Sequence, residues 1–324
     1  MAKFLIRRII VSIPVFIGVT ILSFALIHAV PGGPTARLEL DPDIKPEDIA
    51  RIKANMGLDR PVWEQYIRWF MGWPPGTGGI IRGDFGVSYI NQLSVSKEMM
   101  QRLPKTILLT GTALLLTLVI ALPFGVYSAV KQYSSFDNIS TVLSTAGIAI
   151  PSFWLGLMMI LIFSVRLRWF PTGGVTTIGE PFSIMDLLHH LAMPAFVLAA
   201  INIAAWNRYI RGSMLEVIRQ DYVRTARAKG LKDQTVIFRH ALRNALIPVA
   251  TLLGLTLPNL VSGALITETI FSWPGIGRLA WHAATKRDYP IIMGVLVLGT
   301  AMVIVGNLLA DIAYSYLDPR IKQE

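Results

Sequence analysis

Cysteine is absent from the 324 residues, and charge is scarce, with 15% of positions Asp, Glu, Lys or Arg. Without cysteine there is no disulfide framework, no thiolate metal site and no cysteine nucleophile. No Gly-x-x-x-x-Gly-Lys-Ser/Thr phosphate loop occurs, so the chain is not itself a P-loop ATPase. There is no His-Glu-x-x-His signature, no defensible serine–histidine pairing, and His28, His189 and His190 lack a metal-ligand spacing. Neither catalytic residues nor a metal site are therefore expected. No long apolar run carries an Asp or Glu at its centre, which counts against an ion-coupled secondary transporter.

What the chain does have is hydrocarbon. It is 53% hydrophobic with a mean hydropathy of +0.54, outside the range of ordinary soluble domains. Its formal charge of +10 would suggest nucleic acid in a soluble protein. In a membrane protein, basic residues mark cytosolic loops and contacts with anionic lipid, and nucleic acid is set aside. Six runs are long enough to cross a bilayer, which needs roughly 20 helical residues. They are Ile9–Val30, Ile107–Val130, Ile139–Val165, Leu187–Trp206, Ala245–Thr267 and Tyr289–Leu317. With no alternating barrel pattern, an all-α membrane protein of six transmembrane helices is expected. The first run is too long for a signal-peptide core and no small-x-small cleavage site follows it, so an uncleaved helix is expected.

This reading divides the chain into four parts. Residues 1–30 form the N-terminus and first helix, 31–105 an extracytoplasmic loop domain, 106–317 a five-helix core, and 318–324 a cytosolic tail. Orientation rests on Lys and Arg in the short loops. The inner side would hold 15 of the 30 basic residues, but ten of the others lie in the long loop 31–105, which is largely exempt from the rule. Both termini are therefore expected in the cytosol. In the outer loop, Pro46-Glu-Asp48 starts a short helix that Gly57 can cap. A second places Trp63, Tyr66, Ile67 and Phe70 on one face, to be read as a packing face or a partner site. Gly83-Asp-Phe-Gly86 reads as a turn.

Between the fourth and fifth runs lies a basic loop, 207–244. Ser213 with Glu216 has capping-box spacing and predicts a helix start there. Gly230 should end or bend the helix in a positive-φ conformation. Val236, Ile237 and His240 then share one side of a second amphipathic piece. On physical grounds alone this segment could lie on anionic headgroups or receive another protein. Polar residues within the runs, Asn202, Thr256, Asn259, Ser262 and Thr267, are candidates for lining a path and equally for packing hydrogen bonds. Pro258, Gly254 and Gly263 could loosen the fifth helix. Glu268, just before Pro274-Gly275-Ile-Gly277, would either order an outer gate or make a structural hydrogen bond.

The basic loop resembles the EAA loop of ABC-importer membrane subunits. Against the general pattern (Glu-Ala-Ala, three residues, Gly, nine residues, Ile-x-Leu-Pro) only Ala226, Gly230 and Leu242 match. Tyr222-Val-Arg-Thr-Ala-Arg-Ala-Lys-Gly-Leu231 and Arg239-His-Ala-Leu-Arg-Asn-Ala-Leu-Ile-Pro248 are similar to one branch, the dipeptide/oligopeptide/nickel permease family. Further matches follow in order along nearly the whole chain: Phe4–Arg8, Pro31–Pro34, Gly57–Pro61, Gly83–Gly86, Ile150–Phe153 and Arg211–Met214. Glu268–Phe271, Pro274–Gly277, Arg287–Pro290 and Asp318–Arg320 complete the series. The resemblance implies the type I ABC-importer permease architecture in a prokaryotic cytoplasmic (inner) membrane. It implies a second, homologous permease subunit, two ATPase subunits that hold ATP and Mg, and an extracytoplasmic substrate-binding protein. No cofactor is expected on this chain. Arg224, Thr225, Ala226, Gly230 and Leu231 would be the ATPase-coupling residues. The cargo implied is a di- or oligopeptide, with nickel chelates, glutathione and oligosaccharides as alternatives.

Overall fold

The computed structural model describes residues 2–39, 43–72, 79–256, 260 and 263–317; at 2–5, 37, 38, 248, 250, 251, 255, 310, 311 and 313–317 it describes the backbone alone. The described residues are helical apart from turns and two isolated bridges, Gly79 with Asp84 and Val87 with Ser94. Among the described residues four helices are long and apolar enough to cross a membrane: Ile6–Ala29, Val95–Val130, Ile184–Ile218 and Tyr289–Leu309. The first belongs to α1 (Ala2–Ala29), whose Ile9, Ile13, Leu22 and Leu26 stay about half exposed or more. An apolar surface of this kind suits lipid.

The segment after α1 carries α2 (Ala36–Glu39), α3 (Pro46–Asn55) and α4 (Val62–Met71). Pro46 opens α3 and Gly57, at φ +70°, follows its end, as expected from the sequence. The aromatic stripe of α4 splits. Tyr66 and Trp69 pack against Phe24 of α1 and Phe70 stacks on Tyr66, while Trp63 is 66% exposed. Tyr66 also shares a 3.0 Å hydrogen bond with Thr20, and Gln65 one of 3.1 Å with His28. Within the stripe Tyr66 fixes α4 to α1 and Phe70 packs on Tyr66, whereas Trp63 stays open.

The second span, α5 (Val95–Val130), starts twelve residues before the expected Ile107. At 1.5 Å per residue its 36 residues reach about 54 Å, so several turns stand clear of a core about 30 Å thick. Lys97, Glu98, Arg102 and Lys105 occupy those extra turns, which is why hydropathy alone misses them.

The third run is not one straight helix. It forms α6 (Ser135–Ala149) and α7 (Ser152–Met159), the latter continuing as a π-helical stretch Ile160–Arg166, with a 100° bend between them. Proline drives its predecessor out of the α region, and Ile150 before Pro151 has ψ +122°. The fourth, α8 (Ile184–Ile218), runs 35 residues and passes straight through Ser213. The expected helix start at Ser213 is therefore wrong. Capping-box spacing cannot outweigh a helix already propagating from the membrane, because each added residue gains a bond without a new nucleus.

Beyond it come α9 (Asp221–Ala228), α10 (Asp233–Thr235), a π-helical stretch Val236–Ala241, α11 (Leu242–Ala245) and α12 (Ile247–Thr256). The expected fifth span is described only in parts, α12 and α13 (Leu265–Ile270); Pro258, Asn259 and Ser262 lie outside the described residues. An amphipathic α14 (Ile276–Lys286) leads to the last span, α15 (Tyr289–Leu317). The Arg287–Pro290 motif between them is a fastener. Arg287, itself at φ +57°, donates to the carbonyls of Pro31 and Gly33 at 2.8 and 3.1 Å. Buried Asp288 accepts from Ser88 and from the Tyr89 amide.

Candidate coupling loop and translocation path

The loop after α8 is seated by an apolar core. Val223 and Ala226 of α9, with Val236, Ala241, Ala245 and Val249, join Ala121, Val126, Ala129, Trp206, Ile210 and Met214 in one buried cluster. The helical end of α5, the projecting end of α8 and the loop are thus a single packed body. On the opposite face of α9 the side chains are solvated. Arg224 is 76% exposed and pairs loosely with Asp221 at 3.6 Å, and Thr225 is exposed. Tyr222 is 43% exposed and accepts from Asn244 at 2.8 Å.

Gly230 ends the helix at φ +77°, its amide donating to the Arg227 carbonyl at 2.9 Å. A Cβ there would meet open space, so the constraint is conformational and not steric. Leu231 and Phe238 are 41% and 63% exposed. Of the five expected coupling residues, Arg224, Thr225, Gly230 and Leu231 lie on or beside the open surface. Ala226 faces inward, where its small side chain lets α9 approach the cluster. Phe238 escapes sequence reading because it continues the apolar pair Val236-Ile237; its signal was an aromatic out of phase with buried Val236 and Ala241.

Two of the expected path residues meet in a cavity of about 250 Å³. Asn202 of α8 and Thr256 of α12 line it with Thr110, Ala113 and Leu114 of α5, Trp206, Leu260 and Gly263. Asn202 donates to the Leu198 carbonyl at 3.0 Å and Thr256 to Leu253 at 2.8 Å, so each satisfies its own helix and keeps oxygen lone pairs for a guest. Thr110, not anticipated from sequence, donates to the Thr106 and Leu260 carbonyls at 2.8 Å and bridges α5 to the fifth-span segment. The walls are apolar with a few uncharged polar groups. Thr267 is buried and does not line this cavity. Asn259 and Ser262 lie outside the described residues.

At the other end the expected gate residues form a clasp. Glu268 has no exposed surface. Its carboxylate accepts from Thr106 Oγ1 at 2.9 Å and the Arg278 amide at 2.8 Å, with the Ala264 amide at 3.4 Å. Thr106 in turn accepts from the Ile276 amide at 2.7 Å, and Trp273 Nε1 donates to the Lys105 carbonyl at 2.9 Å. The glycines of Pro274–Gly277 make this possible. A Cβ on Gly275 would collide with the Glu268 carboxylate, and one on Gly277 would sit 2.8 Å from the Leu265 backbone. Gly263, at φ +88°, presses against Gly277. The clasp ties α5, α13 and α14 together, and Pro274 lies in the turn it holds.

The three histidines weighed as metal ligands are engaged one by one. His28 stacks on Phe24, His189 bonds the Trp169 carbonyl at 2.5 Å, and His190 the Asp186 carbonyl at 2.9 Å.

A multi-span helical protein with a packed basic loop at one end and a clasped turn at the other has the build of a transport permease subunit. Comparison with known proteins agrees. The family described as binding-protein-dependent transport system inner membrane component matches residues 121–323, and its N-terminal counterpart matches residues 1–110. The chain belongs to this family. It is 47% identical to the oligopeptide transport system permease protein AppB of Bacillus subtilis, over 99% of this chain and 100% of that one. It is 39% identical to the dipeptide transport system permease protein DppB of Escherichia coli, over the full length of both. A di/tripeptide transport system permease protein DppB of Pseudomonas aeruginosa is 40% identical, over 100% of both chains. A structure of the MetNI methionine ABC transporter superposes with a TM-score of 0.51 at 19% identity, over 68% of this chain and 96% of that one, a likeness of fold alone.

Proposed function

We propose that this chain is one of two permease subunits of an ATP-driven, binding-protein-dependent importer of di- and oligopeptides. The observation that carries the mechanism is the α9–Gly230 loop. It is anchored by its apolar face to the ends of α5 and α8 while Arg224, Thr225, Leu231 and Phe238 point outward. A surface of that kind, rigidly joined to membrane helices, can receive a motor protein and pass its movement on. Six membrane helices and two cytosolic termini complete this reading, the bent α6–α7 pair counting as one span and the fifth-span segments as another. A homologous permease forms the other half of the path, two ATPase subunits hold ATP and Mg, and a binding protein delivers cargo to the clasped face. The uncharged lining of the cavity suits a peptide backbone, and the cargoes named for the three relatives support peptides.

The test is reconstitution with the partner permease, ATPases and candidate binding proteins in liposomes. Peptide-stimulated ATP hydrolysis with peptide uptake is expected. Stimulation by nickel chelates, glutathione or oligosaccharides in place of peptides would reassign the cargo. No coupling with any binding protein would overturn the reading.

A further inference from the structure

Helix α6 is inside out. Its buried residues are Asp137, Ser140 and Ser144, while Ile139, Val142 and Leu143 are 59%, 66% and 63% exposed. The polar positions recur at i, i+3 and i+7, and Gly147 extends the stripe by one more turn. All of them face α8. Arg211 grips Asp137 with two bonds, Nε to Oδ1 at 2.5 Å and Nη2 to Oδ2 at 2.8 Å. Asn207, one turn back, donates to Ser140 at 2.8 Å and Ser144 at 2.6 Å. Another turn back, a Cβ on Gly147 would stand 3.0 Å from that of Ala204. On α8 the partners are again spaced i, i+3 and i+7, so the two helices pair antiparallel in one register. The other side of α8 meets α5 at the same level, where a Cβ on Gly125 would sit 2.8 Å from Ile210.

The physical consequence is specific. Apolar packing holds the coupling loop to α8 and α5, yet α6 contributes nothing to that buried apolar cluster. Its tie to α8 is the polar stripe. Apolar surfaces can slide past one another in lipid, whereas buried polar pairs in a low dielectric fix one register. Asp137 is anchored at its own end too, accepting from the Tyr133 amide at 2.9 Å, and Ser134 caps α6 by accepting from the Asp137 amide at 3.3 Å.

We infer that Arg211 and Asn207 are positioning residues for transport: they lock α6 to α8, so that displacement of the coupling helix reaches the bent α6–α7 pair without slippage. This rests on the importer reading above. Neither residue touches cargo or nucleotide in this scheme; both act on where α6 sits.

The test uses the complete reconstituted importer and reads uptake per ATP hydrolysed. Arg211→Ala is expected to keep ATPase activity within about twofold of the parent while uptake per ATP falls by about tenfold or more. The reciprocal swap Asp137→Arg with Arg211→Asp should regain part of the loss, and Arg211→Lys, which cannot make the two-pronged contact, should fall between. Spin labels at Val142 on α6 and Arg224 on α9 supply a second readout. Their separation should hold constant through the ATP cycle in the parent and broaden in Arg211→Ala. If Arg211→Ala fails to insert, Asn207→Ala carries the same two measurements. Unchanged uptake per ATP with an unchanged label separation in an inserted variant would overturn the inference. Absence of uptake in the parent complex would instead overturn the importer reading.

Discussion

Glu268 shows what one buried side chain can organise. Its carboxylate gathers Thr106, Ala264 and Arg278, and the space it fills is left by Gly275. Glu268→Ala is expected to cost about 1–3 kcal/mol, because buried donors lose their acceptor. Gly275→Ala should cost about as much or more by forcing the backbone away from the carboxylate. Thermal melting of the purified protein would check both, with Gly57→Ala as a control that strains the backbone without a clash. His282 offers a pH test nearby on α14. Partial desolvation, then the charges of Arg278, Lys286 and Arg102, hold its imidazole below the ordinary histidine range. The unfolded chain thus binds the proton more readily, so this group removes stability as pH falls below about 6.5 and contributes nothing above it. An NMR titration of the His282 ring should give a midpoint below that value, and His282→Gln should lessen the loss of stability in acid. Tyr89 should stay protonated in alkali, since burial and then the Asp288 charge push it up to about 12.

At the scale of elements, α9 has two unlike faces. The inner face is apolar and seated; the outer face is open and carries Leu231 and Phe238 close by. Replacing both with Asp should leave insertion intact and reduce retention of the ATPase on the purified permease by about tenfold or more, as expected when exposed apolar anchors are lost. Retention equal to the parent would place the ATPase elsewhere. Gly230→Val tests the turn. A β-branched residue at φ +77° carries about 1–2 kcal/mol of strain but meets no neighbour, so the protein should insert normally while transport falls. Normal peptide uptake by this variant would count against the loop as the point of coupling.

Across the whole molecule, three joints hold parts that the sequence separates widely. Arg287 and Asp288 fasten the last span to Pro31, Gly33 and Ser88. Glu268 fastens the fifth-span segment to α5, and Arg211 fastens α8 to α6. The segment after α1 is therefore tied to α1 and α15, and the basic loop to α5 and α8. Asp288→Ala should leave the basic loop intact and loosen the segment it holds, read as faster hydrogen exchange across residues 79–94. Unchanged exchange there would show that Asp288 does not hold the segment in place.

Long apolar runs, the basic loop and the ordered short motifs were enough to read a helical membrane permease and to find Gly230 and Glu268. Those signals are local, since hydropathy, positive φ and motif order are properties of neighbouring residues. The sequence also misled locally, at Ser213 and at the start of α5, where a helix already formed runs on through polar residues. Only the tertiary structure decided which polar residues pair. Asp137 and Arg211 are 74 positions apart, Thr106 and Glu268 are 162, and nothing in either neighbourhood names the other. It also decided that α6 buries its polar face, which reverses the pattern of a soluble helix. In lipid the apolar side already has its solvent, so the hydrogen-bonding side must find protein.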